Sequence, residues 1–275
     1  MKKLIVGASG FIGSNFKKFL EKKGEKPITC SRSNSDISLD LENEKFTELE
    51  SIIKDGDVVY LFASKSSPDY CEKNPVHAKK INYTNTSILI EKILSKRCKL
   101  IFASTDAVYP DSLDEVNENS RHNPSGNYGY YKSIVEKKFQ QDKNFFIARF
   151  SYVLGSDKFS NYLSNNPREN KVIYNGLKRR AVTINDVVEG LYRYDEVYKS
   201  VNFCGPELLS RVDIAKMYKK NLFHDLILNY EDAPDDFWMS RAKTINMGSN
   251  YFDSVLGRPA ESINTYLKKI WNKKF

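Results

Sequence analysis

KKLIVGASGFIGS, residues 2–14, is an apolar run, a glycine turn and the opening of a helix. Leu4, Ile5 and Val6 form the run, and Gly7, Gly10 and Gly13 follow at three-residue steps. Phe11, Ile12, Phe16, Phe19 and Leu20 then continue at helical spacing. Each glycine answers a different steric demand. Gly7 lets the chain turn off the strand, Gly10 lets a pyrophosphate approach the backbone, and Gly13 lets the helix pack closely. The free N–H groups and positive dipole end of the helix face the phosphates. The stretch predicts a dinucleotide site cradled by Gly7, Gly10, Phe11, Ile12 and Gly13.

At 275 residues the chain is long enough for one large or two small domains. With 40% hydrophobic and 28% charged residues it reads as soluble and globular. No apolar run approaches the ~18 residues of a membrane span. The first apolar run ends at a glycine turn, unlike a signal peptide, so a cytoplasmic protein with no membrane partner is expected. Cys30, Cys71, Cys98 and Cys204 are scattered and form no CxxC pair, which predicts reduced, structural thiols. His77, His122 and His224 are equally dispersed, so no metal is expected. The net charge of +8 suits an anionic small ligand. Lysines alternate with glutamates, as in EKKGEK at 21–26, and gather into no basic stripe, so no nucleic-acid partner is expected.

Strand and helix patterns alternate through the first 150 residues, which predicts an α/β fold with a doubly wound parallel sheet. Strands are expected at 27–31, 37–41, 57–63, 99–105 and 145–149, and helices at 42–53 and from about 75 to 94 after a polar loop at 64–75. Where an NAD site keeps an acidic residue at the end of its second strand, this chain has Ser31 and Arg32. Arg32 suits a ribose 2′-phosphate or is an exposed loop arginine; beside the glycine turn, the NADP reading is preferred. Asp40 and Leu41 either flank the adenine or introduce the next helix. Residues 57–63 (DVVYLFA) form the near-continuous apolar run of a strand buried on both faces. Residues 1–154 are read as the dinucleotide-binding domain, with 181–204 returning to it. Residues 155–180 and 205–275 form a smaller substrate-binding region, with helices expected at 212–222 and 262–271.

Tyr128 and Lys132 stand at i and i+4, on one face of a helix start. An ammonium beside a phenol favours the phenolate and is expected to lower the tyrosine pKa. Tyr174 and Lys178 repeat the spacing, but Gly176 between them signals a turn. Tyr128 follows the strand that ends in Ser104, Thr105 and Asp106, and ligands of open α/β sheets bind outside the carboxyl ends of strands. The Thr105 hydroxyl can therefore meet the same substrate oxygen as Tyr128.

GASGFIG (7–13), IFASTDAVYP (101–110), YGYYK (128–132) and a basic position seven residues before an aspartate in RRAVTIND (179–186) resemble the extended short-chain dehydrogenase/reductase superfamily. PDYCEKNPVHAKKINYTNT (68–86) and RFSYVLG (149–155) are most similar to its NDP-4-keto-6-deoxysugar reductases, the dTDP-4-dehydrorhamnose reductase type. The resemblance implies a Rossmann dinucleotide-binding fold and NADPH as cofactor. It makes Tyr128 the proton donor, Lys132 its modulator and ribose anchor, and Thr105 the substrate-orienting hydroxyl. It places Ala63, Ser64 and Asn82 with the cofactor. Arg179 matches an arginine that holds a sugar-nucleotide diphosphate, or belongs to a solvated basic turn. Asp106 touches the sugar or caps its loop. A homodimer through the Tyr128 helix and the helix near Asn82 is likewise implied. The fourth strand ends LFAS and the chain diverges from Glu207 onward, both departures from the family pattern.

The expected activity is NADPH-dependent reduction of a keto group, at C4, of a nucleotide-activated 4-keto-6-deoxysugar for surface polysaccharide synthesis. The alternatives are a 4-epimerase that retains NAD, against which Arg32 argues, and a non-catalytic nucleotide-binding subunit, against which the Thr105, Tyr128 and Lys132 set argues.

Overall fold

The computed structural model describes residues 1–194 and 196–272. The first strand, β1 (Lys3–Val6), feeds α1 (Phe11–Lys22), which lays Phe16 and Leu20 on the sheet. Next come β2 (Ile28–Ser31) and β3 (Ile37–Ser38). The third strand stops three residues short of the expected 41, and α2 (Thr47–Ile52) starts five residues later than the expected 42. The cause is local: the Asp40 carboxylate accepts the Glu42 N–H at 3.0 Å, an Asx turn that competes with both strand and helix.

The run at 57–63 contains β4 (Val58–Leu61), buried at every position. The polar loop after it holds one short helix, α3 (Pro68–Lys73), whose Ser67 cap and Pro68 start suit a helix entry. The long helix is α4 (Pro75–Lys79), a π-helical segment (Lys80–Asn85) and α5 (Thr86–Ser95) in succession. Then follow β5 (Lys99–Thr105), β6 (Ser112–Val116), α6 (Asn127–Phe139) and β7 (Phe145–Phe150).

The second half is built from shorter pieces: β8 (Val153–Leu154), α7 (Lys158–Ser164), β9 (Lys171–Tyr174), β10 (Lys178–Arg179), β11 (Val182–Thr183), α8 (Ile184–Arg193) and β12 (Ser200–Phe203). After these come β13 (Leu209–Ser210), α9 (Arg211–Asn221), β14 (Leu228–Glu231), α10 (Asp235–Trp238), β15 (Thr244–Met247), α11 (Phe252–Leu256) and α12 (Ile263–Asn272).

Among the described residues the main sheet has seven strands in the order β12-β7-β5-β4-β1-β2-β3, every pair parallel. The chain reverses its direction of sheet growth between β1 and β4, and that crevice is where open α/β sheets take ligands. Of residues 181–204, β12 joins the main sheet beside β7, whereas β11 pairs with β8 in a separate two-stranded sheet. A four-stranded sheet, β13-β10-β15-β6, stands apart from the main one. Strand β6 belongs to it although it lies early in the sequence, because it pairs with β15 more than 100 residues away.

Candidate active site

A cavity of about 650 Å³ opens at the carboxyl ends of β1, β4, β5 and β7 and extends to the four-stranded sheet. At its floor Gly7 has φ +93°, and a Cβ there would meet the Ala63 nitrogen at 2.6 Å, so only glycine fits the turn. The first α1 bond runs from the Ser14 N–H to the Gly10 carbonyl at 2.8 Å. The N–H groups of Phe11, Ile12 and Gly13 precede it and point out of the helix end with no side-chain cap. A wall of this kind takes a pyrophosphate, so the residues present fit a dinucleotide.

Ser31, Arg32, Asp40 and Leu41 line one end of the cavity, with Ala63 and Ser64 from the end of β4 nearby. Arg32 is exposed, and among the described residues its guanidinium has no hydrogen-bond partner. Asn82 does not line the cavity. It is buried, and its amide accepts the Lys65 N–H at 2.8 Å and donates to the Lys65 carbonyl at 3.0 Å. It fixes the 64–66 segment that does line it, a positioning role where the resemblance implied direct contact.

Thr105, Tyr128 and Lys132 all line the cavity. The α6 entry that carries Tyr128 is tied down by Glu72, which accepts the Asn127 N–H at 2.6 Å and its side-chain amide at 2.8 Å. Gly129 sits against the loop after β5, where a Cβ would strike the Ala107 carbonyl oxygen at 2.1 Å. The Thr105 hydroxyl accepts the Ala107 N–H at 3.2 Å and donates to Asp106 at 3.2 Å. It has one proton, so it donates to a substrate oxygen only by leaving Asp106.

Lys132 is 2% exposed, and its ammonium donates to the Ala103 carbonyl at 2.7 Å and lies 4.5 Å from the Phe102 ring centroid. Burial pushes Lys132 down to about 7, with Glu136 acting in the other direction. The Tyr128 phenol is pushed up, not down: burial outweighs the hydrogen bond from Ser64. The expected lowering is absent because Lys132 is turned to Ala103 and is itself desolvated.

Beneath these residues lies a charged network that spacing did not reveal. Arg149 donates to Glu136 from Nε at 3.0 Å and from Nη2 at 2.6 Å, and to the Tyr109 hydroxyl at 2.9 Å. Tyr109 donates to Asn202 at 3.0 Å, and Ser104 donates to Glu136. The network ties α6, one turn beyond Lys132, to the tips of β5 and β7.

Asp106 is buried, with Arg179 Nε at 3.2 Å and the Ser151 hydroxyl at 3.3 Å. Burial raises its carboxyl against the pull of Arg179. Arg179 lines the cavity, yet its Nη atoms donate to the carbonyls of Lys178 (2.7 Å), Lys243 (3.2 Å) and Ala242 (2.9 Å). Its fork is occupied by the protein itself. Arg180 turns away to Asn246 and Glu115. The cavity also takes in Tyr152, Leu209, Arg211, Ile214 and the 240–242 segment, none of which sequence reading singled out. All four cysteines are free and buried. Among the described residues no helix is long and apolar enough to cross a membrane.

Residues 1–172 match the family model described as the RmlD substrate binding domain. A UDP-glucose 4-epimerase of Mycoplasma genitalium is 32% identical over 157 residues, 48% of this chain and 45% of that protein. An ADP-L-glycero-D-manno-heptose-6-epimerase of Cupriavidus pinatubonensis is 27% identical over 170 residues, 58% of this chain and 50% of that protein. The chain thus spans about half the length of the curated relatives it matches. The crystal structure of a dTDP-4-dehydrorhamnose reductase from Bacillus anthracis in complex with NADP superposes with a TM-score of 0.84 at 16% identity, covering 100% of this chain and 99% of that one. That likeness shows the fold.

Proposed function

Because the chain belongs to the RmlD substrate binding domain family, within the extended short-chain dehydrogenase/reductases, we propose that it is an NADPH-dependent reductase of a nucleotide-activated 4-keto-6-deoxysugar, acting at C4. The observation that carries this reading is Arg32. It stands on the cavity wall at the end of β2, where an NAD site keeps a carboxylate, with its guanidinium unpartnered among the described residues. A basic group there favours a 2′-phosphate, and NADP is the cofactor of net reductions.

When bound, NADPH supplies the hydride. The protein's own part is then acid chemistry and orientation. Tyr128, kept protonated by burial, gives its phenolic proton to the alkoxide oxygen formed at the ketone carbon. Thr105 orients that oxygen from the tip of β5 by turning its hydroxyl away from Asp106, and Lys132 holds the ribose beside α6. The product serves surface polysaccharide synthesis, and a homodimer through α6 and the 75–95 helix is part of the same reading.

A 4-epimerase is the second reading, favoured by the 32% identity to a UDP-glucose 4-epimerase. Titration with NADPH and NADH, followed by nicotinamide absorbance with a panel of NDP-4-keto-6-deoxysugars, separates the two. Stoichiometric loss of NADPH supports the reductase. NAD retained through purification, with no net consumption, supports the epimerase.

A further inference from the structure

Three arginines on or beside the four-stranded sheet reach the cavity, and two are already committed. Arg179 is held by Asp106 and three backbone carbonyls. Arg241 is held by both oxygens of Asp69, by the Phe237 carbonyl and by Ser240. Arg211 differs. Among the described residues its side chain makes no hydrogen bond or ion pair, and its Nε is buried without a partner.

Its surroundings explain why it stays in place uncommitted. The guanidinium carbon lies 5.7 Å from the Tyr152 ring centroid and 5.5 Å from that of Phe159, so two aromatic faces hold the plane. The nearby carboxylate, Asp157, is occupied by the Tyr152 hydroxyl at 2.7 Å, the Phe159 N–H at 3.1 Å and the Ser160 hydroxyl. The start of α9 is also satisfied, since Ser210 and Asp213 close a capping box and the Arg211 N–H donates to the Leu177 carbonyl at 3.1 Å. What remains is a pre-oriented, partly desolvated cation facing a cavity with a free donor edge. A buried cation without a counter-charge is costly, and an anionic ligand removes that cost.

We propose that Arg211 is the anion-binding residue of the substrate half of the cavity and takes the negatively charged oxygens of the sugar nucleotide, a role Arg179 is too occupied to fill. This rests on the sugar-nucleotide reading above and deepens it. Leu177, Leu209 and Ile214 line the cavity around Arg211 and offer apolar surface to the rest of the ligand. The oxygens are those of the diphosphate, common to every sugar nucleotide and the anionic group of a 6-deoxysugar nucleotide.

The test is calorimetric titration of the NADPH-loaded protein with UDP, dTDP, GDP, UDP-glucose and UDP-glucuronic acid, for wild type, Arg211→Gln and Arg211→Lys. Arg211→Gln is expected to weaken the wild type's preferred nucleotide by at least about 30-fold. Arg211→Lys, which keeps the charge and loses the fork, is expected to weaken it by about tenfold and guards against a folding defect in the first variant. NADPH affinity stays unchanged in both. Loss of the nucleoside diphosphates themselves identifies the diphosphate as the source. Loss confined to UDP-glucuronic acid would place the contact on a sugar carboxylate and overturn both the diphosphate assignment and the 6-deoxysugar reading. If both variants bind every compound as the wild type does, the Arg211 assignment is overturned while the sugar-nucleotide reading stands. If the wild type binds none of them, the sugar-nucleotide reading falls and takes this assignment with it.

Discussion

Asp69 and Arg241 meet as a two-pronged ion pair across 172 residues of chain, with Nη2 donating to Oδ2 at 2.7 Å and Nη1 donating to Oδ1. The pair joins the segment after β4 to the segment before β15, and both segments line the cavity. Arg241 holds the Asp69 carboxyl below the usual carboxylate range. A lowered acid contributes stability that is present above its unfolded pKa and is lost as pH falls through the lowered folded value. The Asp69 side chain is 50% exposed, so the pair is worth at most ~1 kcal/mol. Asp69→Asn is therefore expected to raise KM for the sugar nucleotide by about twofold to fivefold while leaving the fold intact. The contribution should fade only in acid. Steady-state kinetics and urea midpoints from pH 3 to 7 check both statements, and an unchanged KM would show that the pair has no part in substrate binding.

Tyr128 is expected to act as the proton donor, with burial keeping its phenol protonated through neutral pH and above. Tyr128→Phe removes one oxygen and leaves the α6 entry, held by Glu72, undisturbed. The expected result is a fall in kcat of about 10²–10⁴ with NADPH affinity within twofold. Turnover within tenfold of the wild type would assign the proton to another group.

Lys132 gives a prediction in which function and stability oppose each other. Its folded pKa, near 7, lies below that of an unfolded lysine, so the unfolded state binds more protons between the two values. Its burial cost is complete below about pH 7 and disappears as pH rises through about 10.5. Lys132→Met should therefore stabilise the ligand-free protein by about 2 kcal/mol at pH 6.5, with the advantage shrinking toward pH 10. The same variant should bind NADPH about 10–100-fold more weakly, having lost a charged hydrogen-bond donor to the ribose. Urea titrations at the two pH values and fluorescence titration of NADPH provide the readings. A destabilised variant at pH 6.5 would show that the Ala103 contact outweighs desolvation.

What could be read from sequence is what local spacing encodes. The β1 run, the glycine turn, α1, the limits of β5 and the Tyr128–Lys132 pair all follow from neighbours within one or two turns. The lapses have local causes too, such as the Asx turn at Asp40 that shortens β3 and delays α2. Residues whose role depends on distant partners were out of reach. Glu136 and Arg149 stand 13 residues apart, and no local spacing pairs them until β7 and α6 bury them together. Arg179 resembles a ligand arginine until Lys178, Ala242 and Lys243 turn their carbonyls on it. A glycine inside a helix is costly, and the need for Gly129 comes from the distant Ala107 carbonyl, which a Cβ would strike.

Arg32 is expected to decide which cofactor the site prefers. It is exposed at the end of β2, on the wall shared with Ser31, Asp40 and Leu41, and no described carboxylate pairs with it. A guanidinium offers a planar fork to a 2′-phosphate but only a weak contact to a ribose hydroxyl. Arg32→Ala should therefore weaken NADPH by about 10–100-fold and leave NADH within about twofold. Because the contact is exposed, the wild-type preference should narrow as salt is raised, and the variant should show little of that dependence. Arg32→Glu should go further and favour NADH, since a carboxylate repels the phosphate and accepts from the 2′-hydroxyl. Dissociation constants for both cofactors at low and high salt distinguish these outcomes. Equal NADPH affinity in wild type and both variants would make Arg32 a surface residue, and the epimerase reading would then gain over the reductase.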